Sequence, residues 1–479
     1  MVMTTKKDKK LIRVDSLRIA DSLRSTGIIN PPYERITKKE PEDLYINGVL
    51  QKKDNNNNHN NDNNGHGSHG ASKSDKTTPQ AANVTVASLL DSTKRLSPHT
   101  LEYGARESAA YVASRFPATY GALFNIMKEA KARIPWMKPN NVLDFGTGPG
   151  TALWAINEVW NSEVKDFTGV DISEDMLQSA EEIIKYASDN CKFENIEFKR
   201  YLAASNDAGK FDLVVCAFSL SELPSDNIRK STIQNLWAHT KDTLVIVDRG
   251  TPQGAKIVME ARNWILEHSK PESTNGEASV HTVAPYSHDM PCPFLNTKEW
   301  SHYSQRVQRP TFTMKTKHSK SNREDLKYSY VILRRGSRPQ QSATTGNPPS
   351  TVDISESTQG TSTSTDQQDK DSNNNLEQLA LASYSWPRVI SPALKRSGHV
   401  IVEVCTDKGR LERRIFTKSH NPQAYRDARK VAWGDLFPHE PKVILPYPNL
   451  YAEKFDETKE TKKKRISRSL RANSKEPDQ

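Results

Sequence analysis

The sequence predicts an α/β protein built on a parallel sheet, with a helical region before the sheet and a small basic β-rich extension after it. Residues 141–250 alternate short apolar runs with amphipathic helical stretches, which is the pattern of βαβ units. Residues 400–417 hold two β-rich runs separated by Thr406-Asp407-Lys408-Gly409, and the Asp and Gly of this turn favour a β-hairpin.

The individual elements follow from the same patterns. Residues 84–131 have helical periodicity, and Pro117 is placed to open a helix in its first turn. An amphipathic helix is predicted at Met176–Tyr186. The apolar runs predict strands at Asn141–Phe145, Phe167–Asp171, Phe211–Ala217 and Thr243–Asp248.

Three stretches are predicted to lie outside any packed core. Residues 1–83 contain an Asn-rich run, residues 337–375 are rich in Ser, Thr, Gln and Asp, and the tail from residue 453 is charged. Such compositions bury too little apolar surface to offset chain entropy. No stretch approaches the roughly 18 consecutive apolar residues of a membrane span, and four scattered cysteines do not suit a disulfide-stapled secreted domain.

The most specific local feature is a Gly-rich turn after the first predicted strand. Asp144 lies near the end of that strand, and Gly146, Gly148 and Gly150 follow at alternate positions. Such glycines let the backbone approach a ligand closely, and the following helix N-terminus offers free N–H groups. Asp171 ends the next predicted strand, where a carboxylate suits two vicinal hydroxyls. This arrangement resembles class I S-adenosylmethionine-dependent methyltransferases, which implies that these five residues bind that cofactor.

The reaction is less defined than the cofactor. Residues 216–224, after the third of these predicted strands, contain neither the Asn-Pro-Pro-Tyr tetrapeptide of amino-methyltransferases nor a cysteine pair suited to attack on a pyrimidine. The tetrapeptide occurs instead at residues 30–33, far before the Gly-rich turn. A domain that binds the cofactor without transferring a methyl group and an active methyltransferase therefore both stay open.

Charge is strongly segregated along the chain. Residues 141–248 carry 9 Lys and Arg against 18 Asp and Glu, whereas residues 306–338 carry 10 against 2 and residues 388–430 carry 11 against 4. Basic surfaces attract phosphate backbones through counterion release, so an RNA partner is predicted for the second half of the chain, although a merely solvated face is the alternative. The candidate phosphate-binding residues are Arg306, Arg309, Lys315, Lys317, Arg410, Arg413 and Arg414.

Further segments together resemble the methyltransferase-like family of the mitochondrial small ribosomal subunit. They are residues 248–254 (DRGTPQG), 260–262 (EAR), 284–293 (APYSHDMPCP), 300–306 (WSHYSQR), 386–388 (WPR), 395–399 (KRSGH) and 425–435 (YRDARKVAWGD). The resemblance implies a mitochondrial matrix factor that binds small-subunit rRNA and ribosomal proteins during assembly, supports mitochondrial translation and acts as a monomer; the alternative is an active rRNA methyltransferase. The basic N-terminus is an atypical presequence, because it also contains Asp8, Asp15 and Asp21.

With the resemblance, the chain divides into six predicted regions. They are a mostly disordered arm (1–83), a helical region (84–140), a methyltransferase-like domain (141–336), a low-complexity insert (337–375), a basic β-hairpin region (376–452) and a basic flexible tail (453–479).

The resemblance also implies four cysteine ligands for an iron–sulfur cluster. Two of these positions hold Cys292 and Cys405, but the other two hold Tyr286 and Ser301. A [4Fe–4S] cluster ordinarily takes four thiolates, and hydroxyls are poor substitutes for them. The departure disfavours the cluster in this chain.

There are two alternatives to the cluster. His288 and His302 could join the two cysteines in a zinc ligand set of two imidazoles and two thiolates. The same side chains could instead pack together without any metal.

Overall fold

The computed structural model describes residues 6–25, 102–191, 193–202, 211–269, 279–294, 299–311, 314, 321–339 and 375–447. The Asn-rich run, the tetrapeptide at residues 30–33, Lys315, Lys317, most of the 337–375 insert and the basic tail lie outside these residues. Within the described part, no helix has the length and apolar character needed to cross a membrane.

An eight-stranded sheet carries the first half of the fold. Its strands are β1 (Asn141–Phe145), β2 (Asp166–Val170), β3 (Asn195–Lys199), β4 (Phe211–Ala217), β5 (Thr240–Arg249), β6 (Val280–Ala284), β7 (Tyr303–Gln308) and β8 (Arg323–Arg335). Strands β3-β2-β1-β4-β5 are neighbours in that order and run parallel, whereas β8 joins β5 antiparallel and itself pairs with β6 and β7. The predicted α/β class with a parallel sheet is confirmed.

Helices pack on both faces of this sheet and on neighbouring parts of the fold. They are α1 (Lys6–Ser25), α2 (Ala105–Ser114), α3 (Phe116–Arg133), α4 (Thr151–Trp160), α5 (Glu174–Tyr186), α6 (Asp226–His239), α7 (Pro252–His268) and, later in the chain, α8 (Pro422–Lys430). Apolar side chains of α3 and α4 pack in the core on one face, and those of α6 and α7 pack on the other. Because both faces of the sheet are covered, the central strands are apolar along their length. The sequence predicts them for this reason.

The N-terminal helix differs from the sequence prediction. The sequence predicts little order for residues 1–83, yet α1 packs its buried Ile12, Ile19 and Leu23 against α2. The carboxylate of Asp15, fully buried, accepts hydrogen bonds from the Arg106 guanidinium at 2.7–3.1 Å. These apolar residues recur at helical spacing, a signal that the averaged composition of the arm conceals.

A second, antiparallel sheet forms the extension. Its strands are β9 (Arg388–Val389), β10 (Leu394–Lys395), β11 (His399–Cys405), β12 (Leu411–Thr417) and β13 (Val443–Pro446). Strands β11 and β12 pair antiparallel and form the predicted hairpin, whose turn contains Gly409 at a φ of +69°. Helix α8 packs on this sheet through Ala424 and Ala428.

Buried Arg388 connects the second sheet to the first half of the fold. Its guanidinium pairs with Glu129 of α3 and donates to the carbonyl oxygens of Pro285, at 2.7 Å, and of Gly434. Tyr330 of β8 donates its hydroxyl to the same carboxylate. Burial opposes the charge on Arg388, but the carboxylate of Glu129 together with the phenols of Tyr330 and Tyr303 raises the guanidinium pKa above its ordinary value. One buried cation therefore joins α3, the segment after β6, β9 and the turn after α8.

We expect Arg388→Met to lower the free energy of unfolding by about 3–5 kcal/mol, because the Glu129 carboxylate loses its buried partner. Adding Glu129→Gln should recover part of this loss by removing the unpaired charge. Denaturant unfolding of the two variants measures both effects. Arg306→Met, which breaks an exposed ion pair with Asp325, is the control and should cost less than about 1 kcal/mol. Equal losses for Arg388→Met and the control would contradict the role given to Arg388.

Candidate functional site

The Gly-rich turn connects β1 to α4 and opens towards solvent at one position. Gly146, Gly148 and Gly150 have φ angles of +73°, +52° and +78°, a backbone region that favours glycine. A Cβ at Gly146 would lie 1.9 Å from the Oγ of Ser219, whereas a Cβ at Gly148 would meet no atom within 4 Å. Gly146 is therefore required by packing, while Gly148 borders open space that a ligand can enter.

Asp171 follows β2 and hydrogen-bonds to the Gly-rich turn. One carboxylate oxygen accepts from the backbone N–H of Gly148 and the other from that of Ser173, both at 2.9 Å. Burial raises the pKa of Asp171, and the two N–H donors oppose that rise. Each carboxylate oxygen has a further lone pair, so Asp171 can still accept hydrogen bonds from a ligand's hydroxyl groups.

Asp144 lies beneath the turn in the body of the sheet. Its side chain is 1% exposed, and its Oδ2 has no hydrogen-bond partner among the described residues. Burial raises the pKa of this carboxyl to about 7. The predicted cofactor residues thus lie together at the carboxyl ends of β1 and β2, where open parallel sheets bind ligands; their role in binding stays a prediction.

Tyr103, which no sequence motif assigned to the site, adjoins it from the N-terminal side. Its carbonyl oxygen accepts from the Oγ of Ser173 at 2.8 Å, and its ring packs edge-to-face on Tyr111 with centroids 6.0 Å apart. Burial, and then the negative charge of Glu222, raise the pKa of the Tyr103 phenol. This contact joins residues far apart in sequence, so no local pattern could have identified it.

An ion pair between Glu222 and Arg249 holds the segment after β4 in place. Glu222 accepts from the Arg249 guanidinium at 2.6 Å, and Asp248 accepts from the hydroxyl of Ser221 at 2.7 Å. Burial raises the pKa of Glu222, and Arg249 opposes the rise. A carboxylate already held by a guanidinium is poorly placed to act as a general base, so Glu222 is better explained as the partner of Arg249.

The four positions that would ligate a cluster are buried in one region. Tyr286, Cys292 and Ser301 are each 5% exposed and Cys405 is 2% exposed. The hydroxyls of Tyr286 and Ser301 are hydrogen-bonded to each other at 2.8 Å. The imidazole of His288 stacks on Tyr286 at 5.7 Å, and its Nε2 lies 3.5 Å from the Cys405 sulfur.

The side chains of this group are neutral, and their donor types do not suit an iron–sulfur cluster. Burial raises the pKa of the Cys405 thiol and of the Tyr286 phenol, and burial lowers the pKa of His288 to about 4. All three side chains are therefore neutral at neutral pH. An iron–sulfur cluster needs thiolates, and two of its four positions hold hydroxyls that already bond to each other. The residues present do not fit the cluster.

The zinc set suggested by the sequence is not assembled. His302 stacks on Trp300 at 5.2 Å, packs edge-on against Trp433 at 4.8 Å and hydrogen-bonds to the Trp300 carbonyl. Adjacent residues of an extended chain point to opposite sides, so Ser301 faces Tyr286 while His302 faces the tryptophans. In the described part of the chain, no group of three or more His, Cys, Asp or Glu side chains is arranged to hold a metal ion.

The candidate RNA-binding arginines are mostly paired with carboxylates. The pairs are Arg306–Asp325 at 2.7 Å, Arg309–Glu324 at 3.1 Å, Arg413–Glu403 at 2.7 Å and Arg414–Glu412 at 3.0 Å. Arg410 is exposed at the end of the hairpin turn. Cross-strand neighbours create three of these contacts, whereas Arg414 pairs with Glu412 two residues away on the same strand. The net charge of a sequence segment does not reveal either kind of pair. Their contact with RNA stays a prediction.

Comparison with known proteins finds mitochondrial relatives and a solved structure that this chain resembles. A human protein named "Ribosome assembly protein METTL17, mitochondrial" is 31% identical over 341 residues, covering 71% of this chain and 64% of the relative. "Ribosome assembly protein RSM22, mitochondrial" of Saccharomyces cerevisiae is 23% identical, covering 76% and 72%. A solved S-adenosylmethionine-dependent methyltransferase from Aquifex aeolicus is 14% identical, with a TM-score of 0.27, covering 48% of this chain and 99% of that one.

The chain spans less than two thirds of the human relative's length. The family model described as "Mitochondrial small ribosomal subunit Rsm22" matches residues 105–438, which include the Gly-rich turn, the region of Tyr286 and strands β9 to β12 of the second sheet. The chain belongs to the mitochondrial small ribosomal subunit Rsm22 family.

Proposed function

We propose that this protein is a mitochondrial rRNA-binding assembly factor of the small ribosomal subunit, and that mitochondrial translation requires it. The observation that carries the proposal is the family match over residues 105–438, which spans the first sheet and strands β9 to β12 of the basic second sheet. Relatives named as mitochondrial ribosome assembly proteins support it. In this proposal the partners are small-subunit rRNA and ribosomal proteins in the matrix.

The cleft beside the Gly-rich turn is proposed to bind S-adenosylmethionine. When bound, this cofactor supplies an electrophilic methyl group. Asp171 would accept from its ribose hydroxyls, and the space next to Gly148 would let the backbone approach it. Asp144 offers a buried carboxyl whose pKa of about 7 makes it responsive to a nearby positive charge.

Cofactor binding without methyl transfer is the better-supported role. The segment after β4 has no catalytic tetrapeptide, and its carboxylate, Glu222, is engaged by Arg249. The second candidate, an active rRNA methyltransferase, is supported by the intact set of Asp144, Asp171 and the three glycines.

We expect Gly148→Arg to weaken binding of S-adenosylhomocysteine at least tenfold, because the new side chain enters the open space beside Asp171. Isothermal titration measures the affinity. Gly336→Arg is the matched control, since Gly336 also has a positive φ, +90°, and a Cβ there would likewise meet no atom within 4 Å. Equal affinities for Gly148→Arg and wild type would contradict the cofactor cleft.

The same variant separates the two candidate functions in cells. If the protein acts as a scaffold, Gly148→Arg that still folds and binds RNA should restore mitochondrial translation in cells that lack the protein. If it acts as a methyltransferase, translation should fail to recover although RNA binding is intact. Asp171→Ala provides an independent second variant for the same comparison.

We also propose that the region around Tyr286 is held by neutral packing and needs no metal. The purified protein should contain no iron, zinc or acid-labile sulfide above background, and chelators should leave its melting temperature unchanged. The double variant Tyr286→Cys/Ser301→Cys, which places cysteine at all four positions, is the comparison and should gain iron on anaerobic reconstitution. Stoichiometric metal in the wild-type protein would contradict the proposal.

A further inference from the structure

Helix α8 presents a basic surface on the second sheet. Asn421 caps its N-terminus by accepting from the backbone N–H groups of Gln423 and Ala424, each at 3.0 Å. Ala424 and Ala428 are buried against the core of the second sheet. At 100° per residue, this arrangement turns Arg426, Arg429 and Lys430 outward, and all three are exposed.

The charges of these three residues are not compensated by carboxylates in the described structure. Arg426 contacts the side-chain oxygen of Gln423 at 3.4 Å, and Arg429 contacts the hydroxyl of Tyr425 at 3.4 Å, both of them neutral groups. The one acidic residue of α8, Asp427, is instead engaged by the amide of Gln423 and by His439 at 2.9 Å.

Further exposed basic residues lie at the end of the second sheet from which α8 begins. Lys395 pairs with Val400 across β10 and β11, and His399 pairs with Thr417 across β11 and β12. This register brings the β10–β11 turn to the same end of the sheet as Lys418, which follows β12 and leads into α8. We call the following six exposed residues the basic end face: Lys395, Arg396, Lys418, Arg426, Arg429 and Lys430.

The cations of the basic end face differ from the arginines that the charge of the sequence segments identified as candidates for RNA binding. Arg306, Arg413 and Arg414 already form ion pairs with Asp325, Glu403 and Glu412. A paired arginine must share or lose its carboxylate partner before it neutralises a phosphate, so its net gain from phosphate contact is smaller. The net gain from phosphate contact is therefore greater for a cation that has no carboxylate partner.

We infer that the basic end face is the surface on which this protein binds the phosphate backbone of RNA. The inference rests on the proposed RNA-binding function and assigns it a location. Guanidinium and ammonium groups presented by α8 and by the adjoining turns of the second sheet suit phosphate oxygens. A membrane-binding helix would need an apolar face to insert, but the apolar residues of α8 are already buried against the sheet.

The test measures affinity for a transcript of mitochondrial small-subunit rRNA as a function of salt. For Arg426→Gln/Arg429→Gln/Lys430→Gln in the full chain, we expect binding at least tenfold weaker and a log–log salt slope flatter by about two to three units. The matched control is Lys199→Gln/Lys241→Gln/Lys256→Gln. It removes the same three charges from exposed residues that pair with Glu197, Asp212 and Glu260, and it should keep the wild-type slope.

The outcomes are distinguishable. Wild-type protein that binds no RNA would refute the proposed function, and the inference with it. RNA binding with the same salt slope in the α8 variant and wild type, or an equal loss in the control, would refute the inference alone. Loss of binding to phosphatidylserine vesicles without loss of RNA binding would assign the surface to membranes and also refute it. If the α8 variant fails to fold, Lys395→Gln/Arg396→Gln/Lys418→Gln tests the same face with the same expected result.

Discussion

The buried guanidinium of Arg388 is the contact on which the arrangement of the two sheets depends. A cation removed from water is stable only when its donors are all satisfied, and here they are met by Glu129 and by two backbone carbonyl groups. These partners come from α3, from the segment after β6 and from the turn after α8. Satisfying one buried charge therefore fixes the second sheet against the first.

A second buried arginine reinforces the same junction. Arg133 donates to the carbonyl oxygens of Ser383 and Val283, at 3.0 and 3.1 Å, and to the hydroxyl of Ser287, and it packs on the ring of Tyr384. Burial lowers the pKa of Arg133 to about 10, which leaves it charged at neutral pH. The two buried cations and the hydrogen-bonded pair of Tyr286 and Ser301 together stabilise this junction.

The sequence predicted those parts of the fold that depend on local pattern. Strands β1 and β4 were predicted at their observed bounds because both are apolar runs buried within the sheet. Strand β3 was not predicted, because it is not an apolar run. It lies at the edge of the sheet, and its residues alternate between exposed and half-buried. Helix α1 was not predicted, because the polar residues around it dominate the composition of the arm.

The candidate site was predictable where it depends on local sequence. Glycines with positive φ and strand-end carboxylates lie within short segments, so the cofactor residues could be placed from sequence. The pairing of Arg413 with Glu403 arises from strand register, and His302 is held against Trp300 and Trp433 by packing. A net charge or a ligand count shows neither.

We propose that one rigid framework joins the proposed cofactor site to the proposed RNA-binding face. A structure of this protein bound to mitochondrial small-subunit rRNA tests this proposal most directly. The account predicts phosphate oxygens within about 3 Å of the Arg426, Arg429 and Lys430 side chains, with the Arg388–Glu129 contact intact. An RNA path that leaves α8 in solvent, or a second sheet detached from α3, would contradict it.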